Sequence, residues 1–178
     1  MKQFMKRTAA GSLLLTGLFC LLCRKTDSGL MLSLAITAGT VAYHFTMRLC
    51  VGTLLDCLLH NHVDYTMPWF RVGQSEMNLH QHLKIRLWKN RMPTYDPSAF
   101  DPAAHTWDEL AQAMCQSELV HEVNALLSLL PLVTSIWFGA FWFFLITPIL
   151  SAGFDLLFVA MQRFNRTRIL RMQRKKSG

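Results

Sequence analysis

"VNALLSLLPLVTSIWFGAFWFFLITPILSAGFDLLFVAM", Val123 to Met161, decides the architecture of this chain: 39 residues carry a single charge, Asp155. A bilayer core takes about 20 apolar residues of helix, so the block is too long for one crossing and suits two. The reversal is expected around "WFGAFW", Trp137 to Trp142, where Gly139 and the aromatic side chains suit a membrane–water boundary. Pro131 and Pro148 each remove an amide donor and are expected to kink the two helices.

Two further apolar blocks lie toward the amino terminus. "TAAGSLLLTGLFCLLC", Thr8 to Cys23, follows Lys6 and Arg7 as a signal peptide core would. No small-x-small cleavage pattern precedes "RKTDSG", however, so an uncleaved helix is expected. "GLMLSLAITAGTVAYHFTM", Gly29 to Met47, is the next, and Arg24 to Ser28 between them fit a tight hairpin turn. Past Arg48 the apolar pattern runs on toward Leu59, either tilted or lying in the interface. The expected fold is an all-α integral membrane protein of one domain, with about four transmembrane helices and a cytoplasmic polar layer. It divides into an amino-terminal hairpin over 1–59, a polar segment over 60–122 and a second hairpin with a basic tail over 123–178.

Charge sets the expected sidedness. Of eighteen Lys/Arg, only Arg24 and Lys25 fall in the loops opposite the termini. By the positive-inside rule both termini and the polar middle are cytoplasmic. The tail from Arg163 carries seven Lys/Arg and no acid. Beside an apolar block, such a tail reads as a contact with anionic lipid headgroups, with no nucleic acid as partner. Cys20 and Cys23 form a C-x-x-C inside an apolar run without a second pair, so free thiols are expected rather than a metal or redox site.

The polar middle contains His60, His62, His80, His82 and His105. Prolines 93, 97 and 102 exclude a long helix around them, and an ordered loop over the membrane face is expected. In "HTWDEL", Thr106 followed by Glu109 has the spacing of a capping box, which starts a helix at Trp107.

Three stretches could carry chemistry. On the Trp107 helix, the stripe Trp107, Leu110, Ala111, Met114 leads on to Glu118 and His121. These two are i, i+3 neighbours and can touch. Two readings stand: a Glu that orients a general-base His, or a pair that satisfies itself at an interface. A metal site needs more ligands than the single E-x-x-H supplies. Asp155, alone in its apolar block, is either functional or a lone acid between helices; its helical stripe passes Gln162 and Arg166. "RLWKNRMP", Arg86 to Pro93, could bind phosphate through Lys89 beside Trp88, or act as an interfacial anchor. The chain has no Gly-rich phosphate loop, no G-x-S-x-G elbow and no H-E-x-x-H.

Taken in order, "IRLWKNRMP", "SELVHE" and "MQRFNRTRIL" resemble the glycosyl-4,4'-diaponeurosporenoate acyltransferase family of staphyloxanthin-type carotenoid biosynthesis. Trp88 and Lys89 match its first motif, and Glu118 and His121 its second. Gln162, Arg163, Phe164, Asn165, Arg166 and Arg168 match its closing motif, and Glu76 matches an acid often found upstream. Gln116 and Glu122 stand where the family usually has Arg and Trp.

The resemblance implies a bacterial cell-membrane O-acyltransferase. It would move a fatty acyl group from acyl-CoA or acyl-carrier protein to a hydroxyl of a membrane glycolipid or isoprenoid, with no bound cofactor and no metal. His121 would be the base and Glu118 its orienting acid. Trp88, Lys89, Gln162, Arg163, Asn165 and Arg166 would bind substrate or phosphate; Asp155, which stands where the family commonly has Asn, joins them as a headgroup-site candidate from its helical stripe alone. The competing reading is a non-catalytic membrane scaffold that binds anionic headgroups.

Overall fold

The computed structural model describes residues 1–138 and 141–177 and, within them, contains helices and no strand. Four helical rods are long and apolar enough to cross a membrane. The first two are α1 (Lys2–Thr26) and α2 (Gly29–Leu59). A polar layer follows, with the short helices α3 (Gln74–His82) and α4 (Ile85–Trp88). α5 (Trp107–Leu127) and α6 (Pro131–Phe138) form the third rod, and α7 (Phe141–Ser177) the fourth. Large apolar side chains such as Leu14, Leu21, Ile136, Trp142 and Leu150 remain exposed along the rods. In a membrane protein these faces meet lipid, which solvates them as well as a protein core does.

The amino-terminal hairpin is tight because its facing residues are small. Ala9 and Ser12 of α1 and Ala35 and Ala42 of α2 are buried. At Gly39 an added Cβ would lie 3.5 Å from the Thr16 methyl, in ordinary contact across the hairpin. The turn is shorter than the expected five residues: α1 runs to Thr26, and only Asp27, at positive φ, and Ser28 intervene. α2 continues without a break past Arg48 to Leu59, so Arg48 lies well inside a spanning helix rather than at its end.

The capping box at Thr106 is present in both directions, with the Glu109 amide on the Thr106 hydroxyl at 3.2 Å and the Thr106 amide on Glu109 at 2.7 Å. The rod that follows is interrupted rather than kinked at Pro131. Ser128 to Leu130 form turns, and the amides of Leu129 and Leu130 bond three residues back, before α6 restarts at the proline. Pro has no amide hydrogen and is favoured in the first turn of a helix, so Pro131 opens a new segment. Pro148, by contrast, lies within the continuous α7. α6 ends at Phe138 and α7 begins at Phe141; Gly139, the expected reversal point, lies outside the described residues.

α5 and α7 run antiparallel. Glu118 meets Arg166, Ser117 meets Gln162, His121 meets Asp155 and Ser128 meets Ser151, so partners descend α7 as α5 advances. Every polar feature of the site hangs on this register. The loop with its three prolines holds one short 3-10 turn, Ser98–Phe100, and packs through Phe100 against Leu110, Met114 and Ile169.

Candidate active site

Two stripes of α5 carry the polar groups. Ala111, Cys115, Glu118 and Glu122 share one face, and Leu110, Met114, Ser117, His121, Asn124 and Ser128 share the next. Glu118 and His121 thus point in different directions, and each finds its partner on α7.

Glu118 is fully buried. Its Oε1 accepts from Arg163 Nε at 2.7 Å, and its Oε2 accepts from Arg166. Arg166, itself buried, also donates to the Phe70 carbonyl at 2.7 Å and lies over the Phe70 ring. Arg163 reaches Glu76 at 3.2 Å, Glu122 at 3.2 Å and the Trp69 carbonyl at 3.3 Å. Trp69 in turn donates its indole N–H to Glu122 at 2.9 Å. Three carboxylates therefore surround two guanidiniums, and the cluster offers no surplus positive charge to an anion. It is a clamp that pins the polar layer to α5 and α7. Beside it, burial pushes the His80 imidazole below its ordinary range; Glu76 at 3.6 Å opposes that and Arg163 reinforces it.

His121 turns the other way. Its Nδ1 lies 2.9 Å from Asp155 Oδ1, and its ring stacks on Phe158 with centroids 4.4 Å apart and planes 7° from parallel. A carboxylate on Nδ1 places the proton there and leaves the lone pair on Nε2. Asp155 is 1% exposed and also receives Arg48 from α2. Arg48 donates to the Ser151 hydroxyl at 2.8 Å, and that hydroxyl lies 3.2 Å from His44 Nδ1 and 3.1 Å from Ser128 Oγ.

His121 lines a cavity of about 460 Å³ between α5, α7 and the proline loop. Phe158, Met114 and Ile169 give it apolar walls, while Lys89, Asn165 and Arg168 bring polar groups to the wall. Lys89 donates to Asn165 at 2.7 Å and, like Arg168, lies over the Phe164 ring. Burial, with Arg168 close by, holds the Lys89 ammonium below its usual range. Lining residues include no carboxylate, so a net positive charge faces the cavity.

The residues singled out from sequence thus separate into four groups. His121, Lys89, Gln162 and Asn165 line the cavity, and Gln162 also donates to Ser117 at 3.1 Å. Asp155 stands behind His121, and neither the expected Glu118–His121 pair nor the Asp155–Gln162–Arg166 link forms. Glu118 takes Arg163 and Arg166 from α7 instead, and Asp155 takes His121 from α5 and Arg48 from α2. Glu118, Arg163 and Arg166 form the clamp, outside the cavity lining. Trp88 is half-buried in the polar layer, its indole N–H bonded to the Leu83 carbonyl at 2.8 Å, and does not line the cavity.

Sequence reasoning missed Arg48 and Ser151, because nothing local distinguishes a helix-end cation from one that spans to a neighbour. It passed over Arg168 as a binding residue, although the closing motif contains it.

The pattern of the glycosyl-4,4'-diaponeurosporenoate acyltransferase family matches residues 66–175, more than half of the chain. The chain belongs to this family. The glycosyl-diaponeurosporenoate acyltransferase segment takes in the polar layer, the clamp, the His121–Asp155 pair and the cavity, and it leaves the α1–α2 hairpin outside. No curated protein and no solved structure matches the chain. Membership supports acyl transfer in general terms, in a membrane protein.

Proposed function

We propose that this protein transfers a fatty acyl group from a thioester donor to a hydroxyl of a membrane glycolipid or isoprenoid, with His121 as general base. One observation carries the reading: a carboxylate-oriented histidine lines a cavity whose charged wall groups are cationic. His121 Nε2 takes the proton of the acceptor hydroxyl as its oxygen attacks the thioester carbonyl. The C–O bond forms, the C–S bond breaks, and the imidazolium returns its proton to the departing thiolate. Asp155 holds the required tautomer and stabilises the imidazolium while it exists.

Lys89 and Arg168 replace the arginine motif as the groups that meet the phosphates of an acyl-CoA or acyl-carrier-protein donor. They are the cations that line the cavity, whereas Arg163 and Arg166 are neutralised by carboxylates. A glycosylated carotenoid acid fits the acceptor class that the family name carries, and its chain would reach His121 from the lipid side. The polar layer and both termini are assigned to the cytoplasm of a bacterial cell by their Lys/Arg excess, which puts the cavity where soluble donors are. In a scaffold this pair would serve only as a contact between α5 and α7, whereas a base needs the orientation that Asp155 gives His121.

The test is thiol release from a long-chain acyl-CoA by purified protein supplied with membrane lipid, in wild type and His121→Gln. Lipid-dependent release that disappears in the folded variant supports the reading. Equal release by both proteins, or none with either acyl-CoA or acyl-carrier-protein donors, contradicts it.

A further inference from the structure

The α1–α2 hairpin lies outside the family segment, yet it reaches the reaction site through side chains of α2. Arg48 is only 17% exposed, and its guanidinium contacts Asp155 and Ser151 on α7. His44, one turn earlier on the same face of α2, meets Ser151 as well. Asp155 therefore lies between two nitrogen groups, Arg48 from α2 and His121 from α5. We infer that Arg48 is a positioning residue for the reaction, acting through Asp155 to keep His121 in the form that can accept a proton, and that the hairpin completes the site.

The coupling is electrostatic, and only its consequence for turnover rests on the acyl-transfer reading. The base-competent pair is neutral His121 with ionised Asp155, which carries one negative charge. Inside an apolar span that charge is costly, and the pair would relieve it by holding an extra proton. A protonated pair cannot act as a base. The Arg48 guanidinium offsets the charge and favours the competent form. The other groups that face the pair leave this role to Arg48. From α2 there is also His44, turned to Ser151. On α5, Glu118 and Glu122 lie on the other stripe and are engaged by Arg163. Across the cavity stand Lys89 from the polar layer and Arg168 from α7.

The experiment follows the His121 Cε1 resonance against pH in detergent-purified protein with labelled histidine, assigned by its loss in His121→Gln. Two neutral replacements, Arg48→Gln and Arg48→Met, guard against misfolding of either, and Arg48→Lys keeps the charge. The titration midpoint is expected to be higher in the neutral variants than in wild type, and to stay near wild type in Arg48→Lys. In the thiol-release assay the neutral variants should lose kcat at pH values below their raised midpoint, approaching tenfold for each pH unit below it, with donor KM unchanged and activity recovering at alkaline pH. An unmoved midpoint in a folded neutral variant overturns the inference, whatever the turnover. A raised midpoint in a protein whose wild type transfers no acyl group leaves Arg48's role intact and removes the acyl-transfer reading instead.

Discussion

Replacing Glu118 should unfold the protein at lower temperature without weakening its hold on an anionic donor. Its carboxylate is 0% exposed and bonds two guanidiniums, one of which, Arg166, is 1% exposed. Glu118→Ala leaves Arg166 with a carbonyl and an aromatic ring but no counter-charge. Breaking a buried ion pair from one side costs about 3–5 kcal/mol. For a chain of this length, each kcal/mol moves Tm by about 2–4 °C, so a fall of roughly 6–20 °C is expected. Glu118→Gln should sit at the mild end, since the amide oxygen still accepts one hydrogen bond and Arg163 keeps Glu76 and Glu122. The double variant Glu118→Leu with Arg166→Met removes the orphaned charge together with its partner. It should lose less than the sum of the single changes, with a coupling of about 2 kcal/mol or more. Helical signal at 222 nm against temperature in one detergent measures these proteins together with the single variants Glu118→Leu and Arg166→Met, and donor KM is read in parallel. An unchanged Tm combined with a raised donor KM in Glu118→Ala would refute the clamp, and would return Arg163 and Arg166 to the role of anion site.

Other substitutions give separate expectations. Asp155→Asn should present an amide N–H to His121 Nδ1 and move the proton to Nε2, lowering kcat by roughly 10²–10⁴-fold with little change in donor KM; steady-state kinetics read both. Lys89→Ala and Arg168→Ala should each raise donor KM by about tenfold or more, as expected for losing a charge-assisted bond to phosphate. Because burial depresses the Lys89 pKa, its cationic fraction falls at a lower pH than that of an ordinary lysine. Donor affinity in the wild type should therefore weaken as pH rises into the alkaline range, and Lys89→Arg should flatten that decline in a KM–pH series. Thr106→Ala should lower stability by about 1 kcal/mol through loss of the cap, seen in the same thermal melts.

The apolar blocks announced four crossings because lipid demands length and leaves little else to decide. The start of α5 was equally plain, since a capping box is a local signal that Thr106 and Glu109 complete by themselves. What failed were the pairings of functional side chains by helical spacing alone. Glu118 and His121 are close enough to touch on an isolated helix. In the folded chain each faces a charge brought by α7, so helix packing outweighed spacing. Arg48 reads as the charge that ends a span, and only the packing of α2 beside α7 shows it to be a partner of Asp155. The "QRFNR" order, Gln162 to Arg166, does exceed what a stop-transfer signal needs. Its arginines serve an internal clamp, while Asn165, with Arg168 just beyond, faces the cavity.

The most direct measurement is lipid-dependent thiol release from a long-chain acyl thioester, wild type beside His121→Gln, with the lipid product weighed by mass spectrometry. The expected result is release together with a lipid heavier by one acyl group in the wild type, and neither in a variant that melts at the wild-type temperature. Release and acylated lipid at the wild-type rate in His121→Gln would contradict the assignment of His121 as the base.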